Sequence, residues 1–332
     1  MKHATMYSRR TLLGQSIALG LSGLAGNAAR AATAAWPSKP IQVIVPATTG
    51  SAPEIVARLI ADALSARLSN PVYVEGMPGA SGIIGTDKAL KAPADGHTLL
   101  YAMNQVATMN PHLYPRLPYN PARDMAPISL VARGGYVLLA HSGLPAFDLP
   151  SLIALAKREP GKLAYASTGN GSAFHLGMEL IKAQCGIDLL HVPYRSGANA
   201  NTELMAGRVQ VRLEPQASAL ALVRGGRVKA LAVTTPTRLP VLPQVPTVRE
   251  TLPGFELSGW NALWAPAGTP APVIVRLNAE VQEILKSDAF RSHLLQLGLA
   301  PEGSTPAELA ALTAQETAQW KALIDKTGIK AD

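Results

Sequence analysis

The sequence predicts an α/β protein of two domains, built from mainly parallel sheets flanked by helices. Strand-like and helix-like patterns alternate from residue 41 to residue 233, which is typical of successive β-α-β units. The length of 332 residues is typical of a protein with two domains. Hydrophobic residues make up 48% of the chain and charged residues 16%. This composition excludes disordered and fibrous proteins.

The N-terminal residues 1–31 predict an export signal that is removed by cleavage. They contain four basic residues and no acidic residue, and a weakly apolar run of 16 residues with four glycines spans 11–26. This run is too short to cross a membrane stably. The sequence around Ala31 fits small-x-small cleavage after that residue. Arg9 and Arg10 directly before the run resemble a twin-arginine signal, and a general secretory signal is the alternative. We therefore expect a periplasmic mature protein.

The mature chain lacks the signatures of several functional classes. Cleavage leaves 26 basic and 22 acidic residues, a net charge of +4, without a Lys/Arg run, so we expect no nucleic-acid partner. The histidines are scattered, and the single cysteine, Cys185, excludes an intrachain disulfide and predicts a buried thiol. No Walker A loop, G-x-G-x-x-G, G-x-S-x-G or H-E-x-x-H occurs. We expect no cofactor, no metal and no catalysis.

The first half of the mature chain opens with a buried strand. A short apolar run bounded by prolines predicts a strand at 41–45, and apolar residues at helical spacing predict a helix at 53–68. Asp148 is a good N-cap for a helix that starts near residue 149. By the same criteria the other elements of this half are strands at 72–75, 98–103, 128–131 and 137–140 and a helix at 82–91.

The second half continues the alternation and ends in helices. Its predicted strands lie at 163–166, 189–192, 209–213 and 230–233, and its predicted helices begin at 172 and span 198–206 and 220–224. Residues 236–253 contain several prolines and predict a loop. A strand-like stretch at 255–264 precedes helices at 272–285, 289–297 and 306–326.

These last helices have no sheet of their own to cover, so the simplest packing returns them to the first domain. The chain would then cross between the domains twice, near 138–145 and near 255–265. A double crossing acts as a hinge, and the cleft between the domains becomes the expected ligand site.

The loop between the first strand and the first helix is one candidate binding site. It contains Thr48, Thr49, Gly50 and Ser51, at the end of a parallel strand where open α/β sheets bind ligands. A helix N-terminus can hold a carboxylate without a basic side chain, and the hydroxyls add donors. Alternatively, Ser51 and Glu54 form a capping box. We assign capping to Glu54 and ligand contact to the loop residues before it.

A second loop of the same kind precedes the helix predicted from residue 172. It contributes Thr168, Gly169, Asn170 and Ser172 as candidate ligand residues. The glycine permits close approach of the backbone to a ligand. His175 lies one turn into the helix and either faces the cleft or packs on a neighbour.

Asn104 and Gln105 together are a third candidate, because they follow the strand predicted at 98–103. A solvated loop residue is the alternative interpretation of Asn104.

Several separated stretches, in this order, resemble the extracytoplasmic solute-binding proteins of tripartite tricarboxylate transporters, the Bug family. The stretches include WPSKPI at 36–41, PGASG at 78–82, ADGHTLL at 94–100, YASTGNG at 165–171, HVPY at 191–194 and APAGTP at 265–270. The resemblance covers nearly the whole mature chain.

The resemblance implies a type II periplasmic-binding-protein fold, the two-lobed "Venus flytrap" joined by two crossover strands. Residues 36–139 and 262–332 would form the first lobe, and 140–261 the second. The lobes would close on a small carboxylate held by the two loops, directly or through ordered water.

The chain departs from the family pattern at several positions. Ala47, Ser51 and Glu54 stand where the family usually has an aromatic residue, a glycine and an aspartate. Arg212 replaces an apolar residue, and Glu214 replaces an aspartate. If Arg212 and Glu214 face the cleft, Glu214 joins the ligand site and Arg212 could bind a second carboxylate. Otherwise Arg212 is an exposed strand-end residue or the ion-pair partner of Glu214, and we favour this second interpretation.

The function expected from these observations is capture of a small carboxylate by a monomeric periplasmic protein that passes it to transporter membrane subunits. One alternative is a ligand sensor that presents its closed form to a signalling receptor. A further alternative is an exported hydrolase that uses Ser172 and His175, three residues apart on one helix face.

Overall fold

The computed structural model describes residues 36–331, so the export signal expected at 1–31 lies outside the described residues. Every helix and strand of the described part falls within the compact unit Lys39–Asp332, and the described residues of the other unit, 36–38, form neither. The strands are β1 (Ile41–Val45), β2 (Val72–Gly76), β3 (Thr98–Met103), β4 (Met125–Gly134), β5 (Tyr136–His141), β6 (Ala164–Ser167), β7 (Leu190–Pro193), β8 (Val211–Pro215), β9 (Val228–Val233), β10 (Gly259–Pro266) and β11 (Ala300–Pro301).

The helices range from single turns to 22 residues, and a 3-10 turn at Ala80–Gly82 precedes the second one. The helices are α1 (Ala52–Leu68), α2 (Ile83–Leu90), α3 (Gln105–Thr108), α4 (Asn110–Leu113), α5 (Pro121–Asp124), α6 (Leu149–Arg158), α7 (Ala173–Cys185), α8 (Gly197–Met205), α9 (Gln216–Arg224), α10 (Val248–Thr251), α11 (Ala271–Lys286), α12 (Asp288–Gln296) and α13 (Pro306–Thr327).

The strands form two sheets. The first has the order β11-β4-β10-β3-β1-β2 and the second β7-β6-β8-β5-β9. In the first sheet β1 pairs in parallel with β2 and β3, whereas β10 runs antiparallel to β3 and β4. In the second sheet β6 pairs in parallel with β7 and β8, whereas β5 runs antiparallel to β8 and β9. Helices cover both sheets, so the predicted α/β class with two sheets is confirmed.

The sheets are mixed rather than mainly parallel as the sequence predicts. Within the described residues, four strand pairs are parallel and five are antiparallel. The antiparallel pairs all involve β4, β5 or β10, the strands on either side of the two crossings between the sheets. A strand that enters a sheet directly from the other sheet has no β-α-β crossover to fix a parallel direction. Alternation of elements does not reveal this direction.

The chain crosses between the sheets at two glycine-containing places. It leaves β4 after Gly134 and enters β5 at Tyr136, a few residues before the crossing predicted near 138–145. It returns between β9 and β10, and the loop predicted at 236–253 contains the short helix α10. A Cβ on Gly135 would lie 2.3 Å from Thr235 Cγ2, and one on Gly259 would lie 2.5 Å from the Tyr136 hydroxyl. The crossing segments are therefore packed too closely for a larger residue.

The C-terminal helix α13 packs on both sheets. Leu309, near its start, belongs to the apolar cluster that includes Trp260 and Trp264 of β10. Trp320 and Ile324, near its end, belong to the cluster built from the second sheet and α7. The tail therefore returns to the first sheet as predicted, but its last turns also complete the core of the second. Among the described residues, no helix combines the length and apolar character needed to span a membrane.

Candidate functional site

The loop between β1 and α1 is a compact turn that leaves one hydroxyl unused. The Ser51 amide donates to the carbonyl of Thr48 (3.1 Å), and Gly50 has a φ of 79°. Ser51 occupies the N-cap position in an extended conformation, but its side chain accepts no capping hydrogen bond. Its Oγ is buried and forms no hydrogen bond within the described residues. A buried hydroxyl without a partner is costly, so its presence at this position indicates a place for a bound group or water.

Glu54 has a structural role in this loop. Its carboxylate accepts the Gly50 amide (3.2 Å) and pairs with Arg58 one turn later in α1, and the residue is 2% exposed. The predicted assignment of Glu54 to capping is in accord with this contact. Its backbone partner, however, is Gly50 rather than Ser51, because the glutamate side chain reaches one residue further back than a capping box requires.

A cavity of about 350 Å³ opens where β1 and β3 end, beneath the N-terminus of α1. Thr48 and Ser51 line it from the loop, and Tyr101 and Gln105 line it from β3 and α3. Tyr101 is fully buried, and its hydroxyl forms no hydrogen bond within the described residues. Burial raises the pKa of this phenol well above its usual value, so it remains a protonated donor at any physiological pH.

A second cavity of about 150 Å³ lies between the two sheets. Pro53 and Met103 line both cavities, so the two are neighbouring parts of one depression, which we call the cleft. Asn261 also lines the second cavity, is 5% exposed, and carries an Oδ1 without a hydrogen bond among the described residues. The main apolar groups around it come from strands, from α7 and from the segment after α12, and are Met103, Tyr136, Phe174, Pro215, Leu297 and Leu299.

The lining of the cleft contains no charged side chain among the described residues. Arg212 and Glu214 lie on one face of β8 and form a buried ion pair, with Arg212 Nη2 2.5 Å from Glu214 Oε2 and side-chain exposures of 1% and 6%. Arg212 also donates to the carbonyls of Gly197 (2.9 Å) and Leu213 (3.2 Å). Its Cζ lies 6.0 Å from the ring of Phe174.

The ion pair therefore lies close to Phe174 but outside the described lining of the cleft. Of the alternatives considered from the sequence, the one observed is the ion pair between Arg212 and Glu214. Arg212 is not exposed, and neither Arg212 nor Glu214 lines the cleft.

The loop before α7 is held by its own hydrogen bonds. Ser172 Oγ accepts the His175 amide (3.2 Å), and His175 Nδ1 accepts the Gly171 amide (3.0 Å). Thr168, Gly169 and Asn170 are half-buried, and together with Ser172 they stand outside the described linings of both cavities. A Cβ on Gly169 would meet no described atom within 4 Å, so the backbone there is accessible from one side.

His175 packs on a neighbour, one of its two predicted alternatives. Its ring stacks on that of His191 (centroids 3.8 Å apart, planes 9° apart), and Tyr165 stacks on His191 at 4.9 Å. Burial lowers the pKa of both imidazoles, and His191, which also faces His175, titrates at about 4. With Nδ1 engaged by Gly171 and the ring stacked, His175 is not placed to activate Ser172 as the hydrolase alternative requires.

Asn104 is directed away from the cleft. It is 1% exposed rather than solvated, and its Nδ2 donates to the carbonyl of Ser258 (3.2 Å) and to Glu316 Oε2 (3.1 Å) of α13. Its neighbour Gln105 lines the cavity instead. The direction of a side chain at a strand end depends on the turn that follows, which position in the sequence alone does not specify.

The structure thus brings Thr48 and Ser51 into the cleft, with Thr49 and Gly50 exposed beside them. Sequence reasoning missed Tyr101, Met103, Phe174 and Asn261, which line the cleft together with them. Tyr101 and Met103 are two residues apart on β3 and so share a face, which is a signal that the sequence did contain. Asn261 became recognisable only when β10 was paired with β3.

Two further predictions concern the thiol of Cys185 and metal binding. Cys185 is buried and free, and burial raises the pKa of its thiol to about 11. Within the described residues, no group of three or more His, Cys, Asp or Glu side chains is arranged to hold a metal ion.

Comparison with known proteins identifies the family. The family model for TctC, described as "Tripartite tricarboxylate transporter family receptor", matches residues 56–329. The protein BugT of Bordetella pertussis is 35% identical over 89% of this chain and 91% of its own length.

Two solved structures from Rhodopseudomonas palustris have the same fold. Rpa4515 with adipate has a TM-score of 0.77 at 32% identity and covers 89% of this chain and 99% of its own. MatC with bound malate has a TM-score of 0.73 at 31% identity and covers 87% and 100%. The matching family model describes a receptor rather than an enzyme. This chain therefore belongs to the TctC family of tripartite tricarboxylate transporter receptors, the Bug solute-binding proteins, and has their periplasmic-binding-protein fold.

Proposed function

We propose that this protein binds a small carboxylate in the cleft and delivers it to the membrane subunits of a tripartite tricarboxylate-type transporter. One observation carries the proposal: the buried hydroxyls of Ser51 and Tyr101 lack hydrogen-bond partners among the described residues and line one cavity at the N-terminus of α1. The relatives with adipate and malate make a carboxylate the natural class of ligand.

The chemistry of the α1 N-terminus suits an anion. The first amides of a helix have no intrahelical partner, and the aligned peptide dipoles place roughly half a positive charge there. α1 is 17 residues long, and Ser51 forms no side-chain cap that would occupy its N-terminus. A carboxylate that accepts these amides and the two hydroxyls exchanges its water shell for fixed donors, so no basic side chain is needed.

Closure of two lobes would complete the site. We assign the lobes by their sheets, with the first hinge point at Gly135 and the second just before Gly259, a few residues before the boundaries predicted at 139/140 and 261/262. Thr49, Gly50 and the loop 168–172 would contact the ligand in the closed form. The closed shape, favoured by ligand, is what the membrane subunits would recognise. In this proposal the mature protein is a monomer, exported by a twin-arginine signal cleaved after Ala31.

A thermal-shift measurement on the mature protein, with a panel of mono-, di- and tricarboxylates that includes hexanoate, malate, adipate and citrate, tests the proposal. A ligand at 100 times its Kd stabilises the folded state by about 2.7 kcal/mol, which corresponds to a rise in Tm of several degrees. Ser51→Ala should reduce that rise, because it removes a donor that has no other partner. Ser196→Ala is the matched control, because Ser196 caps α8 (Asn199 amide, 3.2 Å) outside the cleft. If no carboxylate shifts the Tm, the proposal is wrong.

A further inference from the structure

The cleft has one polar end and one apolar end, and this asymmetry points to a class of ligand. We propose that the ligand is a monocarboxylate with an uncharged, apolar body, rather than a di- or tricarboxylate. The inference rests on the proposed function and narrows it. Three features support it: unpaired hydroxyls at one end of the cleft, an apolar wall at the other, and the absence of a charged side chain from the described lining.

The N-terminus of α1 is the anion site. α7 and α9 also begin at the cleft, but no buried, unpaired hydroxyl lies at their starts among the described residues. Ser172 Oγ caps α7 through the His175 amide, and the Gln216 amide at the start of α9 donates to the carbonyl of Gly135 (3.3 Å). At α1 the N-cap hydroxyl has no partner among the described residues, and neither has the hydroxyl of the fully buried Tyr101, which lines the same cavity.

The other end of the cleft is apolar. Phe174 packs edge-on against Tyr136, with ring centroids 5.6 Å apart and planes at 77°. Met103, Leu297 and Leu299 complete this wall. The polar side chains there are the amides of Asn261 and Gln216 and the phenol of Tyr136, which carry no charge. An apolar body gains the hydrophobic contribution of this wall, whereas a second carboxylate would lose water against a mostly apolar surface.

Arg212 lies close to the apolar wall, and it is already neutralised. Its guanidinium pairs with Glu214 and donates to two backbone carbonyls, and its Cζ lies 6.0 Å from the ring of Phe174. Releasing it for a ligand would leave Glu214 buried without a counterion, which costs several kcal/mol. The ion pair thus removes from the cleft a charge that could have bound a second carboxylate.

The test compares two acids of equal chain length, hexanoate and adipate, by isothermal titration calorimetry at fixed pH and ionic strength. They differ only in the group at the far end, a methyl or a carboxylate. We expect hexanoate to bind at least 10-fold more tightly than adipate, and 3-phenylpropanoate to bind more tightly than malate. If adipate or malate binds as tightly as its partner, this inference is wrong and the proposed function stands. If none of the four acids binds, the proposed function is wrong as well.

A substitution in the apolar wall tests whether this wall contacts the body of the ligand. Met103→Gln keeps the length of the side chain and places an amide against the apolar body, so hexanoate affinity should fall about 10-fold while adipate affinity is unchanged or rises. Met205→Gln is the matched control, because Met205 packs against the core of the second sheet and does not line the cleft. Circular dichroism establishes that both variants are folded. Equal hexanoate affinity in Met103→Gln and wild type would overturn the assignment of this wall to the ligand.

Discussion

At the scale of single residues, we expect the hydroxyl of Tyr101 to contribute to ligand binding and not to stability. Its hydroxyl is buried without a described partner. Tyr101→Phe should therefore leave the free energy of unfolding unchanged or raise it by about 1 kcal/mol, because an unsatisfied polar group is removed and the ring remains. The same variant should bind carboxylates about 10-fold more weakly. Denaturant unfolding and calorimetry measure the two effects.

Tyr119 offers the matched control for this prediction. Its hydroxyl donates to the carbonyl of Val106 (2.9 Å) and is buried. Tyr119→Phe should cost about 1 kcal/mol of stability, since it breaks a made hydrogen bond, and should leave ligand affinity unchanged. A loss of stability in Tyr101→Phe equal to that in Tyr119→Phe would contradict the role assigned to Tyr101.

Cleft residues could be identified from the sequence where neighbouring residues in the chain determine their environment, and not where tertiary packing determines it. Ser51 was identifiable because its neighbours in the chain make the loop and the helix start. Tyr101 and Phe174 were not, because each belongs to an apolar pattern and becomes a cleft residue only when the strands are placed. Arg212 could not be assigned from the sequence for the same reason. Whether its side chain enters the cleft or pairs with Glu214 depends on how β8 packs against α7 and α8.

At the scale of elements, the contact between α7 and β7 makes stability depend on pH. His175 of α7 stacks on His191 of β7, and His191 Nε2 lies 2.7 Å from Ser167 Oγ of β6. Burial, then the nearby His175, lowers the pKa of His191 from 6.5 to about 4 in the folded protein. Between pH 6.5 and 4 the unfolded chain binds a proton that the folded chain does not, so stability falls as the pH falls through this window.

Substitution of His191 should weaken this dependence. His191→Gln retains a group able to hydrogen-bond to Ser167 but cannot be protonated, so its free energy of unfolding should fall less than that of wild type between pH 6.5 and 4. Urea unfolding at several pH values measures the slope. His293→Gln serves as control, because His293 is exposed on α12. Parallel pH profiles for wild type and His191→Gln would refute the explanation.

Element limits were predictable where local signals define them. The helix predicted at 306–326 is observed at Pro306–Thr327, because Thr305 and Glu308 form a capping box and Gly328 ends the helix in the left-handed conformation. Strand direction was not predictable in this way. β5 and β10 carry ordinary apolar strand patterns, and their antiparallel pairing follows from the crossing of the chain between sheets.

At the scale of the whole molecule, α13 connects the two cores. Leu309 is fully buried in the cluster of the first sheet, and Trp320, 2% exposed, is buried in the cluster of the second. Between them, Glu316 accepts hydrogen bonds from Trp260 Nε1 (2.6 Å) and Asn104 Nδ2 (3.1 Å). A rigid helix anchored at both ends couples the stabilities of the two cores.

This coupling predicts that the protein unfolds in one cooperative transition. Trp320→Ala should lower stability by about 3–5 kcal/mol and Leu309→Ala by about 2–5 kcal/mol, and each should move the same single calorimetric transition. The two variants are matched, because both remove a buried apolar side chain from one helix. Two transitions, one sensitive to each variant, would show that the cores unfold independently. A single transition would mean that a ligand bound in the cleft stabilises both cores together, because α13 permits neither to unfold alone.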